Sequence, residues 1–198
     1  MTNLAIEPFI KSIELELQYN KERVHISCPV CQETDWELLD HIRRPMSDSH
    51  MCICKNCGFI SYNPQLKDIA DFYSRDAKQQ SLEFLQTKNN KLEKHKKLIF
   101  KYLEDNKITP KRCVDLGCSD AYTLKRVRDV YPEVEVIGVE PNPGHRNWAK
   151  YIEEIPCEIS IDKVEGKFDL VICYHQLEHV YRPDEQLKWI YDHLTDDG

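Results

Sequence analysis

The sequence predicts an α/β fold, a parallel sheet with helices on both faces, preceded by a small metal-binding module. Two observations carry this. From residue 109 onward, short runs rich in valine and isoleucine alternate with amphipathic stretches, the mark of strand–helix–strand units. Ahead of them, residues 25–64 concentrate cysteine, histidine, glycine and proline around two CxxC pairs.

The 198 residues allow one small module and most of a second, larger domain, and 41% apolar residues suffice for a core. A net charge of -7 argues against a nucleic-acid partner, which rewards a basic footprint. No apolar run is long enough to span a bilayer, and Met1–Ile10 shows no secretory leader. The expected compartment is the reducing cytoplasm, where nine cysteines read as metal ligands or buried thiols rather than disulfides.

Residues 1–24 form an expected helical segment, with Ile6, Phe9, Ile10, Ile13 and Leu17 at amphipathic spacing. Residues 25–64 read as short strands and turns, closed by the turn signal Asn63-Pro64. Residues 65–108 are an expected helical connector or lid. Ile69, Phe72 and Tyr73 share one face of it; Leu92, His95, Leu98, Ile99, Tyr102 and Leu103 share a later one, opposite a run of lysines from Lys88 to Lys101. Residues 109–198 supply strands at Arg112–Leu116, Val134–Val139 and Phe168–Cys173, and a short one near Cys157–Ile161. Helices are expected at Ala121–Val130, Gly144–Ile152 and Pro183–Leu194, the last with proline at its start.

Cys28-Pro-Val-Cys31 and Cys54-Lys-Asn-Cys57-Gly58 form two knuckles, with 22 residues between Cys31 and Cys54. Each knuckle points two thiolates at one ion, and four thiolates make the closed tetrahedral site of structural zinc. Cys28, Cys31, Cys54 and Cys57 are therefore the expected zinc ligands, in a zinc-ribbon-like module. Cys52, His41 and His50 lie between the knuckles as substitutes, but the paired spacing favours the four cysteines.

Val114-Asp115-Leu116-Gly117-Cys118-Ser119-Asp120-Ala121-Tyr122 is a strand, a loop of small residues and a helix start, where backbone can approach a ligand and helix N–H groups lie open. Glu140 ends the next strand, 23 residues after Gly117, and a carboxylate there suits two ribose hydroxyls. A dinucleotide fingerprint would place glycine at 117, 119 and 122; Ser119 and Tyr122 break it. The residues instead run as an acid followed by small residues at alternate positions: Asp115, Gly117, Ser119, Ala121.

That loop resembles the class I S-adenosylmethionine (SAM)-dependent methyltransferases. So does the run Phe168-Asp169-Leu170-Val171, followed by Leu177-Glu178-His179-Val180, Pro183 and a helix. The resemblance covers residues 109–198 and implies a Rossmann-like class I methyltransferase sheet. It implies that Asp115 orients the loop or holds the cofactor's amino group. Gly117, Cys118, Ser119 and Ala121 line the methionine part, Glu140 binds the ribose and Asn142 flanks the adenine. His175, Gln176 and Leu177 lie beside the sulfonium, and Asp162 is a weaker adenine candidate. His175 and His179 are the candidate general bases; with Glu178 they also offer a divalent-ion site.

With its knuckles, the chain resembles bacterial methyltransferases carrying an N-terminal zinc-binding domain, some acting on nucleotide-linked sugars or polysaccharide precursors. This implies a sugar or sugar-nucleotide acceptor. The alternatives are an RNA or protein methyltransferase using the zinc module as a grip, or a non-catalytic binding protein that kept the fold. The family sheet has seven strands. The sequence reaches the turn before the fifth, so the fourth is expected as an exposed apolar edge, covered by further chain or a partner.

Overall fold

A computed structural model describes residues 23–44, 47–66 and 97–198. The expected N-terminal helix, Ile69, Phe72, Tyr73 and most of the lysine run lie outside the described residues. The rest divides into two compact units: residues 23–66 with 178–187, and residues 97–177 with 188–198.

The first unit holds five strands: β1 (Arg23–Val24), β2 (Trp36–Arg44), β3 (Ser47–Cys54), β4 (Ile60–Tyr62) and β5 (Gln65–Leu66). β2, β3 and β4 form an antiparallel sheet, and β1 pairs with β5. Trp36 lies opposite Cys54 and Leu38 opposite Cys52, with a bulge between Leu38 and Asp40. The bulge absorbs one residue and shifts the register by one beyond it. The Asn63-Pro64 turn joins β4 to β5 through a cis peptide bond. The buried Asn63 side chain accepts from the Ile26 N–H (3.1 Å) and donates to the Ile26 carbonyl (3.4 Å), filling the place of a strand residue.

The second unit is a four-stranded parallel sheet, β6 (Arg112–Leu116), β7 (Glu135–Val139), β8 (Cys157–Glu158) and β9 (Leu170–Ile172), in the order β8-β7-β6-β9. Its helices are α1 (residues 97–105), α2 (Tyr122–Val130) and α3 (Pro143–Tyr151), together with the part of α4 (Pro183–His193) from Lys188 onward. The period of two along each strand divides the core. Cys113, Val136, Leu170 and Ile172 join Leu124 and Val127 of α2, Ala149 of α3, and Ile99 and Phe100 of α1. On the other face Val114, Leu116, Ile137, Val139 and Val171 join Phe168, Trp189 and Ile190. Fully burying Leu124 and Val127 contributes about 1.5–3 kcal/mol each, enough to seat the short α2.

The strands and helices expected within residues 109–198 form, with boundaries that match or shift by up to three residues, whereas residues 65–66, expected at the start of a helical connector, form β5. In α1 the buried stripe is Ile99, Phe100 and Leu103, whereas Leu98 and Tyr102 are exposed, against the face drawn from the sequence. The stripe sits one row round the helix because Phe100 belongs to it. The β9 edge is not wholly bare. Phe168 bridges in parallel to Leu194, its N–H donating to the His193 carbonyl and its carbonyl accepting from Thr195 N–H. No helix among the described residues is long and apolar enough to cross a membrane.

Candidate functional site

In the first unit the four knuckle cysteines converge, with all four sulfurs within 4.8 Å of one another. Cys28 Sγ lies 3.6 Å from Cys57 Sγ and Cys31 Sγ lies 3.5 Å from Cys54 Sγ. A tetrahedron with zinc–sulfur bonds of about 2.3 Å has edges of about 3.8 Å, so these spacings fit zinc. The two knuckles share one turn. Gln32 N–H donates to the Cys28 carbonyl (2.8 Å) and Gly58 N–H to the Cys54 carbonyl (2.9 Å). Each donor follows the second cysteine of its pair and has positive φ, 64° at Gln32 and 78° at Gly58.

The sulfurs resist sharing negative charge. The Asn56 side chain and the Glu33 backbone hold the Cys31 thiol down at about 6. Against the lowering bond from Phe59 backbone, burial and the neighbouring sulfurs push Cys57 up to about 12. Four thiolates this close need a dication among them. Cys52 is not a ligand: it is buried, its thiol donates to the Asn63 carbonyl (3.4 Å), and burial raises its pKa. An open cavity of about 450 Å³ also lies on this unit, between Ile26, Trp36, His50 and Asn63, and none of the expected site residues lines it.

Gly58 gives a clean prediction. A Cβ there would meet nothing within 4 Å, so alanine costs only the left-handed backbone, about 1–2 kcal/mol. Gly58→Ala should lower stability by that amount in a denaturant titration, and Gly58→Asn, which tolerates positive φ, by less. No loss with alanine would show that the turn is not required.

In the second unit, strand order reverses between β6 and β9, and the C-terminal ends of strands at such a reversal are the usual ligand position in sheets of this kind. The loop after β6 and the loop after β9 border it. Gly117, Ser119 and Ala121 have φ of 75°, 55° and 59°, and His175 in the β9 loop has 51°. Left-handed backbone at non-glycine residues stores strain; Ser119, Ala121 and His175 carry it in these two loops, as Lys107 and Glu154 do elsewhere in the unit. Gly117 and Gln176 meet: a Cβ on Gly117 would come within 2.6 Å of Gln176 Cγ. The Gln176 side chain also accepts from the Cys173 thiol (3.3 Å).

Gly117→Ala is therefore expected to cost about 2–4 kcal/mol, from the left-handed backbone plus overpacking. The double change with Gln176→Ala should recover only the packing part. Thermal melts of the single and double variants check this; full recovery would show that φ contributes nothing.

Glu140, the residue after β7, is almost fully buried, one carboxylate oxygen accepting from Ser119 N–H (2.9 Å) and the other from Asn142 N–H (2.7 Å). Asn142, expected beside the adenine, is fully buried, and its side chain caps α3 by accepting from Gly144 and His145 N–H. The Cys118 side chain turns into the core, its sulfur 3.6 Å from that of Cys157; that contact, with burial, raises its pKa well above the usual thiol range. Only its backbone faces the loop's ligand side. Gly138 makes room for this sulfur pair, since a Cβ there would lie 2.5 Å from Cys118 Sγ. Asp115 is buried in β6, and Leu177 is half-buried at the start of the turn Leu177–His179. His175 and His179 are exposed, His175 edge-on to Tyr174 at 4.4 Å between ring centroids. Asp162 is exposed, its pKa held below the usual carboxylate range by Ser160 and Lys163.

Sequence reasoning missed Gly138, His145 and Asp120. Gly138 had a signal, a lone glycine among β-branched strand residues, which marks close approach. His145 is 2% exposed and its Nδ1 lies 3.2 Å from Ser119 Oγ. Asp120 is buried behind the loop, with one oxygen accepting from Tyr122 N–H (3.3 Å).

The chain is similar, at low identity, to solved methyltransferases. One is the plantazolicin methyltransferase in complex with SAH (15% identity, 65% of this chain and 53% of that one, TM-score 0.48). Another is a sugar N-methyltransferase from a Streptoalloteichus species (17%, 52% and 44%, TM-score 0.42). A third is coclaurine N-methyltransferase bound to N-methylheliamine and SAH (13%, 100% and 50%, TM-score 0.46). The chain spans about half the length of these proteins. No curated protein sequence matches it. The pattern that defines the methyltransferase domain matches residues 83–198, more than half of the chain. The strand order, the loop after β6 and the acid after β7 agree with that match, and the chain belongs to the methyltransferase-domain family.

Proposed function

We propose that the chain performs SAM-dependent methyl transfer, to a sugar or nucleotide-linked sugar acceptor, with a structural zinc held by Cys28, Cys31, Cys54 and Cys57. The observation that carries the first part is the pairing of the left-handed loop Gly117–Ala121 with Glu140 across the ends of β6 and β7. The donor set fits the cofactor. The two Glu140 oxygens accept the Ser119 and Asn142 N–H groups, and a carboxylate oxygen can take more than one donor, which suits it to a ribose hydroxyl. Ala121 offers no side-chain cap to α2, and the Asp120 carboxylate accepts from the Tyr122 N–H (3.3 Å), so the helix start already holds a negative group.

Bound SAM supplies an electrophilic methyl group on a sulfonium. The chain's own residues supply position. Glu140 fixes the ribose, the backbone of Gly117, Cys118 and Ser119 borders the methionine part, and Asp115 holds the loop or the amino group. Gln176 and Leu177 form the wall toward the reacting methyl. His175, exposed at this rim, takes the acceptor's proton as the methyl arrives; His179 is the second candidate. Alignment contributes most of the rate, since methyl transfer needs little acid–base help. The acceptor class is supported by the sequence pattern, knuckles followed by CG, Asn63-Pro64 and the methyltransferase motifs. The net charge of -7 opposes RNA.

Calorimetric titration with SAM and S-adenosylhomocysteine tests the cofactor site. Micromolar affinity is expected, and a folded, zinc-loaded chain that binds neither would overturn the reading. Incubation with SAM and a panel of sugar nucleotides, read by mass spectrometry for a gain of one methyl, tests the acceptor. Methylation of RNA or protein but of no sugar would overturn that half alone.

A further inference from the structure

Four buried residues close a hydrogen-bonded ring at the ends of β6 and β7. Ser119 N–H donates to one Glu140 oxygen (2.9 Å) and Asn142 N–H to the other (2.7 Å). His145 N–H donates to Asn142 Oδ1 (3.2 Å), and the His145 imidazole Nδ1 lies 3.2 Å from Ser119 Oγ. Exposures are 9% at Ser119, 7% at Glu140, 0% at Asn142 and 2% at His145.

The structure assigns His145 the part of a positioning residue that holds the Glu140 carboxylate toward the ribose diol, acting through Ser119. The inference rests on the proposed cofactor reading. Ser119 adopts φ 55°, a backbone that glycine would take freely and serine resists. Its hydroxyl contact to His145 helps to keep it there, and that conformation aims the Ser119 N–H at Glu140. An imidazole buried on the inner side of α3, where Ala149 is the other buried residue, needs such a polar contact to offset its desolvation. A carboxylate locked before the ligand arrives loses little entropy on binding. In this chain a serine–histidine contact thus does the work that a flexible glycine would leave undone.

The test is the preference for S-adenosylhomocysteine over its 2′-deoxy analogue, measured by calorimetry in the full chain. A hydrogen bond from the lost hydroxyl to a carboxylate corresponds to a wild-type preference of about 10- to 100-fold. His145→Ala and Ser119→Ala should each reduce that preference about tenfold, and the double variant no further. His145→Asn, whose amide reaches the position of Nδ1, should restore most of it. Should His145→Ala fail to fold, Ser119→Ala, which removes one oxygen, carries the test. Hydrogen exchange without ligand gives a second readout: Ser119 amide protection should fall about tenfold in His145→Ala, with Val114 and Leu116 unchanged. An unaltered preference in a folded variant overturns the positioning role. A wild-type chain that binds neither nucleoside overturns the cofactor reading and the ribose role together. Amide exchange still reports whether the ring forms.

Discussion

Glu140→Ala is expected to reduce affinity for SAM and S-adenosylhomocysteine at least a hundredfold and to lower stability as well. Under the proposed function the carboxylate has two duties. Toward a ribose it offers charge-assisted acceptance of two hydroxyls, worth about 1.5–3 kcal/mol per bond. Toward the protein it satisfies the buried N–H groups of Ser119 and Asn142. Alanine leaves both orphaned, at about 1–3 kcal/mol each. Glu140→Gln separates the duties. It keeps one acceptor oxygen and turns an amide donor toward the other N–H, so it should lose affinity while recovering part of the stability. Calorimetry and thermal melts on the same preparations decide. An alanine variant that binds as well as the wild type would remove the ribose role from Glu140.

Removing the proposed zinc should unfold the first unit while the second keeps its fold. The buried apolar residues in the described part of the first unit are Ile26 and the cysteines Cys28, Cys52 and Cys54. Val30, Leu38, Leu39 and Ile60 are substantially exposed. Among the described residues, so small a core cannot offset the entropy of ordering five strands and two knuckles. A structural zinc contributes about 10–16 kcal/mol at neutral pH, which makes folding and metal binding one event. Metal analysis should find about one zinc per chain. Cys54→Ser, at a site 1% exposed, should abolish it, and a strong chelator should open the first unit to proteolysis. Protein that contains no zinc, yet resists protease in chelator, would refute the assignment.

The parts legible in the sequence were those set by local spacing. The knuckles announce themselves because CxxC places two sulfurs on one turn whatever lies around it. The strands of the second unit follow from runs such as Val136-Ile137 and Val171-Ile172, whose side chains alternate between two helical layers. Glu140 was legible because the residue after a strand has a fixed relation to the loop beside it. The stripe of α1 was misplaced at Leu98 and Tyr102, since a helix presents two adjacent apolar rows and only the sheet selects one.

What the sequence by itself determined is the α/β class, the tetrathiolate set and the residues that follow β6, β7 and β9, all consequences of periodicity and short-range geometry. Tertiary structure alone decided how those residues are used. Cys118 turned its sulfur inward because Gly138 leaves space beside Cys157, and Asn142 spent its side chain on capping α3. Gln176 came to rest on Gly117, and His145 on Ser119, through contacts spanning 59 and 26 residues. Such pairings depend on strand order and close packing across the sheet, which no local pattern encodes.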